Sequence, residues 1–124
     1  MKYFVLLTIP FLLSCASQGN LNEPESTYPI TVDIRVNGTD SVAFSGEYGN
    51  NSDTTEVSGF VPQGIDNYKE YKISIEDSLD EVFALFYKQQ SSGQLKVSFY
   101  VDDHLESWDA TSESFDTVYV TWKP

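Results

Sequence analysis

From Ile30 onward the chain alternates apolar and polar residues one by one. Ile30, Val32, Ile34 and Val36 are separated by Thr31, Asp33 and Arg35. A period of two places the apolar set on one side of a strand. Asn37-Gly38 then marks a turn. Val42, Phe44, Gly46 and Tyr48 form the inward set of a second strand, followed by a polar loop over 49–53. Thr55, Val57, Gly59 and Val61 suggest a third, with Phe60 on its other side and Pro62-Gln63-Gly64 as its stop. Tyr71, Ile73 and Ile75 repeat the pattern, as do Leu95, Val97, Phe99 and Val101. Asp102-Asp103 turns into a short segment over 104–108, and 109–114 is polar. Phe115 opens the last strand, where Val118, Val120 and Trp122 point one way and Thr117, Tyr119 and Thr121 the other.

The segment 78–90 fits two readings. Ser78-Leu79-Asp80-Glu81 has the spacing of a capping box, and Leu79, Val82, Phe83 and Phe86 would line one helical stripe. The run 82–87 reads equally well as a central strand buried on both faces. Its neighbours are all strands, and a lone helix would have to bridge two hairpins. That context favours the strand, which requires Phe83 and Leu85 to be as buried as Val82 and Phe86.

The expected fold class is therefore all-β: a two-sheet sandwich of immunoglobulin-like size with about seven short strands. Its core should include Ile34, Phe44, Ile73, Val97, Phe99 and Val120, with Trp122 and Trp108 beside them. The Cys–Trp–Cys pattern of antibody-type domains is absent, so topology stays open.

The first residues follow different rules. Met1-Lys2 is a short basic start, the run 4–13 is apolar, and Ser14-Cys15 ends it. The run is shorter than the roughly 20 apolar residues a spanning helix needs, and Pro10 interrupts it. It reads as a targeting leader over 1–14. Leu12-Leu13-Ser14-Cys15 resembles the lipobox of bacterial lipoproteins. That resemblance implies diacylglycerol on the Cys15 sulfur and cleavage that leaves Cys15 first. Cys15 is also the only cysteine in the chain, so no internal disulfide is available and lipidation removes a free thiol. Residues 15–29 then read as a lipidated flexible tether, polar and without periodicity. A coil of that length separates a domain from a membrane by about 20 Å. Ala16 is not the aspartate that retains many enterobacterial lipoproteins at the inner membrane. The outer membrane is the expected site, with residues 30–124 as the folded domain.

Charge narrows the partners. The net charge is −12, one unit more negative once Lys2 is removed. There is no basic stripe for phosphate backbones, so nucleic acid is not an expected partner. Anionic headgroups would repel the domain, which leaves the lipid on Cys15 as the membrane contact. The expected protein partner is an envelope or cell-surface protein, met through Tyr100 and Tyr119. Both lie on the polar side of their strands, and tyrosine is enriched at interfaces.

The stretch from Tyr28 also resembles the extracytoplasmic domain of the small mycobacterial membrane protein family MmpS. The resemblance rests on Ile34-Arg35-Val36-Asn37-Gly38-Thr39, on 41–44 through Tyr48-Gly49-Asn50, on Val57 with Pro62, and on Gly93-Gln94-Leu95-Lys96-Val97 running to His104. Members often carry a tryptophan beside the proline, where this chain has Gly59-Phe60-Val61-Pro62, and often a disulfide. The resemblance implies a strand at 82–87 and, as the alternative function, an accessory subunit of an envelope export or assembly system.

Catalytic chemistry is not expected. His104 is the only histidine, placed at a turn with Asp102, Asp103 and Glu106. No second histidine or cysteine can complete a zinc set around it. Gly-x-Ser-x-Gly does not occur, and the glycines are scattered rather than gathered into a phosphate cradle. The expectation is a non-enzymatic interaction or structural module with no cofactor and no metal.

Overall fold

The computed structural model describes residues 27–39, 41–64 and 66–124. The leader, Cys15 and most of the tether lie outside the described residues. Eight strands are present among those described: β1 (Ile30–Gly38), β2 (Ala43–Gly49), β3 (Thr54–Phe60), β4 (Lys69–Ile75), β5 (Val82–Lys88), β6 (Leu95–Val101), β7 (His104–Thr111) and β8 (Thr117–Trp122). They form two antiparallel four-stranded sheets. Sheet I has the order β4-β1-β6-β7 and sheet II the order β3-β2-β5-β8. The fold is the all-β sandwich expected from the alternation.

Each sheet has one dry face because its strands alternate in register. Ile34 lies opposite Tyr71 on β4 and Phe99 on β6. Ala84 lies opposite Tyr48 on β2 and Val120 on β8. These inward residues meet in one cluster between the sheets. Val32, Ile34, Val36, Val97 and Phe99 come from sheet I, and Phe44, Val82, Ala84, Phe86, Val118 and Val120 from sheet II. Phe44 and Phe86 stack with centroids 5.5 Å apart. Ile73 and Trp122 are partly buried and pack at the margin of the cluster.

The segment 82–88 is a strand, but not one buried on both faces. Val82, Ala84 and Phe86 are buried, whereas Phe83 and Leu85 are only half-buried. The reason is architectural: among the described residues no further layer covers the second face of sheet II. At the capping-box spacing of 78–81, Asp80 bonds to loops rather than starting a helix. Its carboxylate accepts from the backbone N–H of Asn51 (2.9 Å), Glu76 (3.0 Å) and Glu81 (3.1 Å). Burial pushes this carboxyl up, and the three backbone donors outweigh it, leaving it below the ordinary carboxylate value.

Trp108 departs from the expected core. It is 55% exposed. Tyr100 pairs with Leu105 while Phe99 pairs with Ser107, so Glu106 is an extra residue in β7. A bulge of this kind shifts the alternation by one. Leu105 and Trp108, three apart in sequence, therefore share the outer face, opposite Tyr100 and Ser98. The turn before β7 is as expected. Asp102 and Asp103 both have positive φ (52° and 64°), as a two-residue hairpin turn of the primed type demands.

Candidate binding surface

The two outer faces of the sandwich are built on opposite principles. Sheet I pairs its outward cations with its own rings and carboxylates, although Arg35 Nε and Asn37 Oδ1 are buried there without a hydrogen-bond partner. Arg35 on β1 sits between Tyr68 and Tyr100, its guanidinium carbon 4.7 Å and 4.0 Å from their ring centroids. Its Nη2 donates to Asp103 at 3.1 Å, and its Nε lies 3.9 Å from Glu70. Burial lowers the basicity of this group, but Tyr68, Asp103 and Tyr100 together raise it above the ordinary arginine value. Lys72 donates to Asp33 across the β1–β4 pair at 2.7 Å. Lys96 lies 4.9 Å from the centroid of the Trp108 ring. Each cation on this face thus has an aromatic or anionic neighbour.

Sheet II does not. Residues directly opposite one another in an antiparallel ladder share a face. One outward row runs Ser58, Ser45, Tyr87, Thr117, and the next runs Glu56, Glu47, Leu85, Tyr119. Phe60 stands opposite Ala43 one row further along. Tyr119 is 56% exposed, Tyr87 41% and Phe60 63%. No lysine or arginine lies on these rows, and among the described residues the ion pairs all involve Arg35 or Lys72. An open groove of about 550 Å³ runs over Ser45, Glu47, Glu56, Ser58 and Tyr87.

The two tyrosines singled out from sequence therefore fall on opposite faces. Tyr119 belongs to the unpaired row of sheet II. Tyr100 gives its ring face to Arg35. Leu85 and Tyr87 complete the sheet II surface. Their apolar run reads as the interior of a doubly buried strand, and only the lack of a third layer among the described residues reveals their position. His104 is exposed at the first position of β7. Among the described residues no three His, Cys, Asp or Glu side chains converge as a metal site.

Lys88 is a residue that sequence reasoning missed. It ends the inward series Val82, Ala84, Phe86 and is 1% exposed. Its ammonium donates to the Gly93 carbonyl at 2.6 Å. The cation also helps to hold Asp116 below the ordinary carboxylate value. The leading causes of that shift are the hydroxyl of Thr111, at 2.6 Å, and the Thr117 backbone N–H. The cluster closes the end of the sandwich where the 89–94 and 112–116 loops meet.

No family model, no curated protein and no solved structure matches this chain.

Proposed function

We propose that the chain is a lipid-anchored, non-enzymatic binding module of a bacterial envelope, tethered through Cys15 at the outer membrane. It meets its protein partner with the outer face of sheet II. The anchor is supported by the basic start, the apolar run and the lipobox-like Leu12-Leu13-Ser14-Cys15. One observation carries the binding face. Sheet I pairs its outward cations with its own rings and carboxylates, whereas sheet II leaves Tyr119, Tyr87 and Leu85 beside two glutamates with no cation. Exposed aromatics around a groove are what a protein interface recruits.

The test compares the faces in living cells. A photo-crosslinking residue is placed at Tyr119 or Tyr87 on sheet II, and at Trp108 or Lys72 on sheet I. The expected result is a discrete adduct from the first pair and none from the second. Adducts confined to sheet I would refute the assignment of the face.

A further inference from the structure

We propose that β3 is an acceptor edge for an extended segment of the partner protein. That segment adds as an antiparallel strand and places a lysine or arginine opposite Glu56. The inference rests on sheet II being the binding face and specifies the chemistry of what binds there.

The four edge strands of the sandwich are not equivalent. On β8, the Tyr119 backbone N–H donates to the Asp109 carboxylate at 3.3 Å. On β4, the Ser74 carbonyl accepts from Asn50 Nδ2 at 2.7 Å. β7 carries the bulge at Glu106. Occupied backbone groups and bulges are standard obstacles to a further strand. β3 has neither. It pairs in unbroken register from Thr54 to Phe60 with β2, and no side chain or loop among the described residues bonds to its free edge. Five of its seven residues are exposed.

Charge identifies the occupant. Glu56 lies directly opposite Glu47. Such pairs hold their Cβ atoms about 4.5–5.5 Å apart, and like charges there repel. A second copy of this chain is a poor occupant. Antiparallel self-pairing about Glu56 or Val57 sets Glu56 against Glu56 or Ser58 of that copy, and it gathers four glutamates on one face. A cation opposite Glu56 removes the repulsion instead. The register fixes the remainder of the pattern. With the cation at position k, position k−2 meets Ser58 and position k−4 meets the exposed ring of Phe60. The segment therefore reads apolar, any, small, any, basic. Strand addition of this kind takes affinity from main-chain bonds and selectivity from alternate side chains.

The probe is a ten-residue Thr/Val peptide with Phe at one position and Lys four residues later. A control peptide carries Glu in place of that Lys. Each is titrated into the purified full chain while amide hydrogen exchange is followed. The expected result is protection confined to 54–60 with the Lys peptide and none with the control. Glu56→Lys should weaken the Lys peptide at least about tenfold and admit the Glu peptide. Glu56→Gln, a milder change, should weaken it by a smaller factor, and unchanged melting of both variants confirms that they are folded. Protection at β4, β7 or β8, or equal binding of both peptides, would overturn the proposal. Failure here alongside adducts from Tyr119 removes strand addition and leaves the sheet II face standing. Adducts confined to sheet I remove the face and the inference with it.

Discussion

The ammonium of Lys88 is almost wholly enclosed, and it reaches the carbonyl of Gly93 at 2.6 Å. Gly93 has φ of +85°, and a Cβ there would collide with Val42 and Thr39. The glycine gives its loop the turn that aims this carbonyl inward, and the lysine satisfies it.

Lys88→Met keeps the stem but removes the donor. It should cost about 1–3 kcal/mol, the penalty for stranding a buried acceptor. Lys88→Ala adds a cavity and should cost about 2–5 kcal/mol. Urea unfolding followed by tryptophan fluorescence measures both. A variant as stable as the parent would show that the carbonyl finds water instead.

Asp80 supplies a pH-dependent clasp between the 50–53 and 76–81 loops. Its folded-state value is depressed, so its contribution is complete above the ordinary carboxylate value of about 3.9. The contribution is lost as pH falls through the lower folded value. Asp80→Asn should cost about 1–3 kcal/mol at pH 7. The gap from the parent should narrow as the pH drops below about 4. Denaturation curves across that range read the difference directly.

Phe99 is fully buried where β6 crosses the middle of sheet I. Phe99→Ala should cost about 3–5 kcal/mol. That is a large share of the roughly 5–15 kcal/mol typical of a domain. Thermal melting of the two proteins is sufficient to see it.

Cys15→Ser should abolish the anchor, because the sulfur carries the proposed diacylglycerol. Fractionation with mass spectrometry should find acylated chain in the membrane of the parent and unlipidated chain in the variant. A membrane-bound parent without acyl mass would end the lipoprotein proposal while leaving the sandwich untouched.

The strands were legible because the inward set at Ile34, Phe44, Val97 and Val120 recurs every second residue. The outer surfaces were less so. The bulge at Glu106 puts Trp108 on the outer face, and no local signal announces a bulge. Phe83 and Leu85 look like core because an apolar run does not say how many layers enclose it. Asp80 and Lys88 owe their roles to partners in other loops, and the capping-box spacing at Ser78 mimics a helix start that those partners override. Of the candidate surface, Tyr119 was visible as an aromatic on a polar row. Glu47 and Glu56 were not, since their opposition depends on the β2–β3 register.

The position of β1 has a kinetic meaning. It is the first of the described strands to be made, yet it hydrogen-bonds to β4 and β6, with Ile34 opposite Tyr71 and Phe99. Neither of those strands exists until most of the chain is available. Sheet I cannot close from the amino terminus forward, and its apolar residues Val32, Ile34 and Val36 wait uncovered in the meantime. Contacts this distant in sequence slow the search, and sandwiches of this kind fold in about milliseconds to seconds. The domain is exposed to aggregation until its last third is available, so an escort for the unfolded chain matters more here than for a protein built from local hairpins.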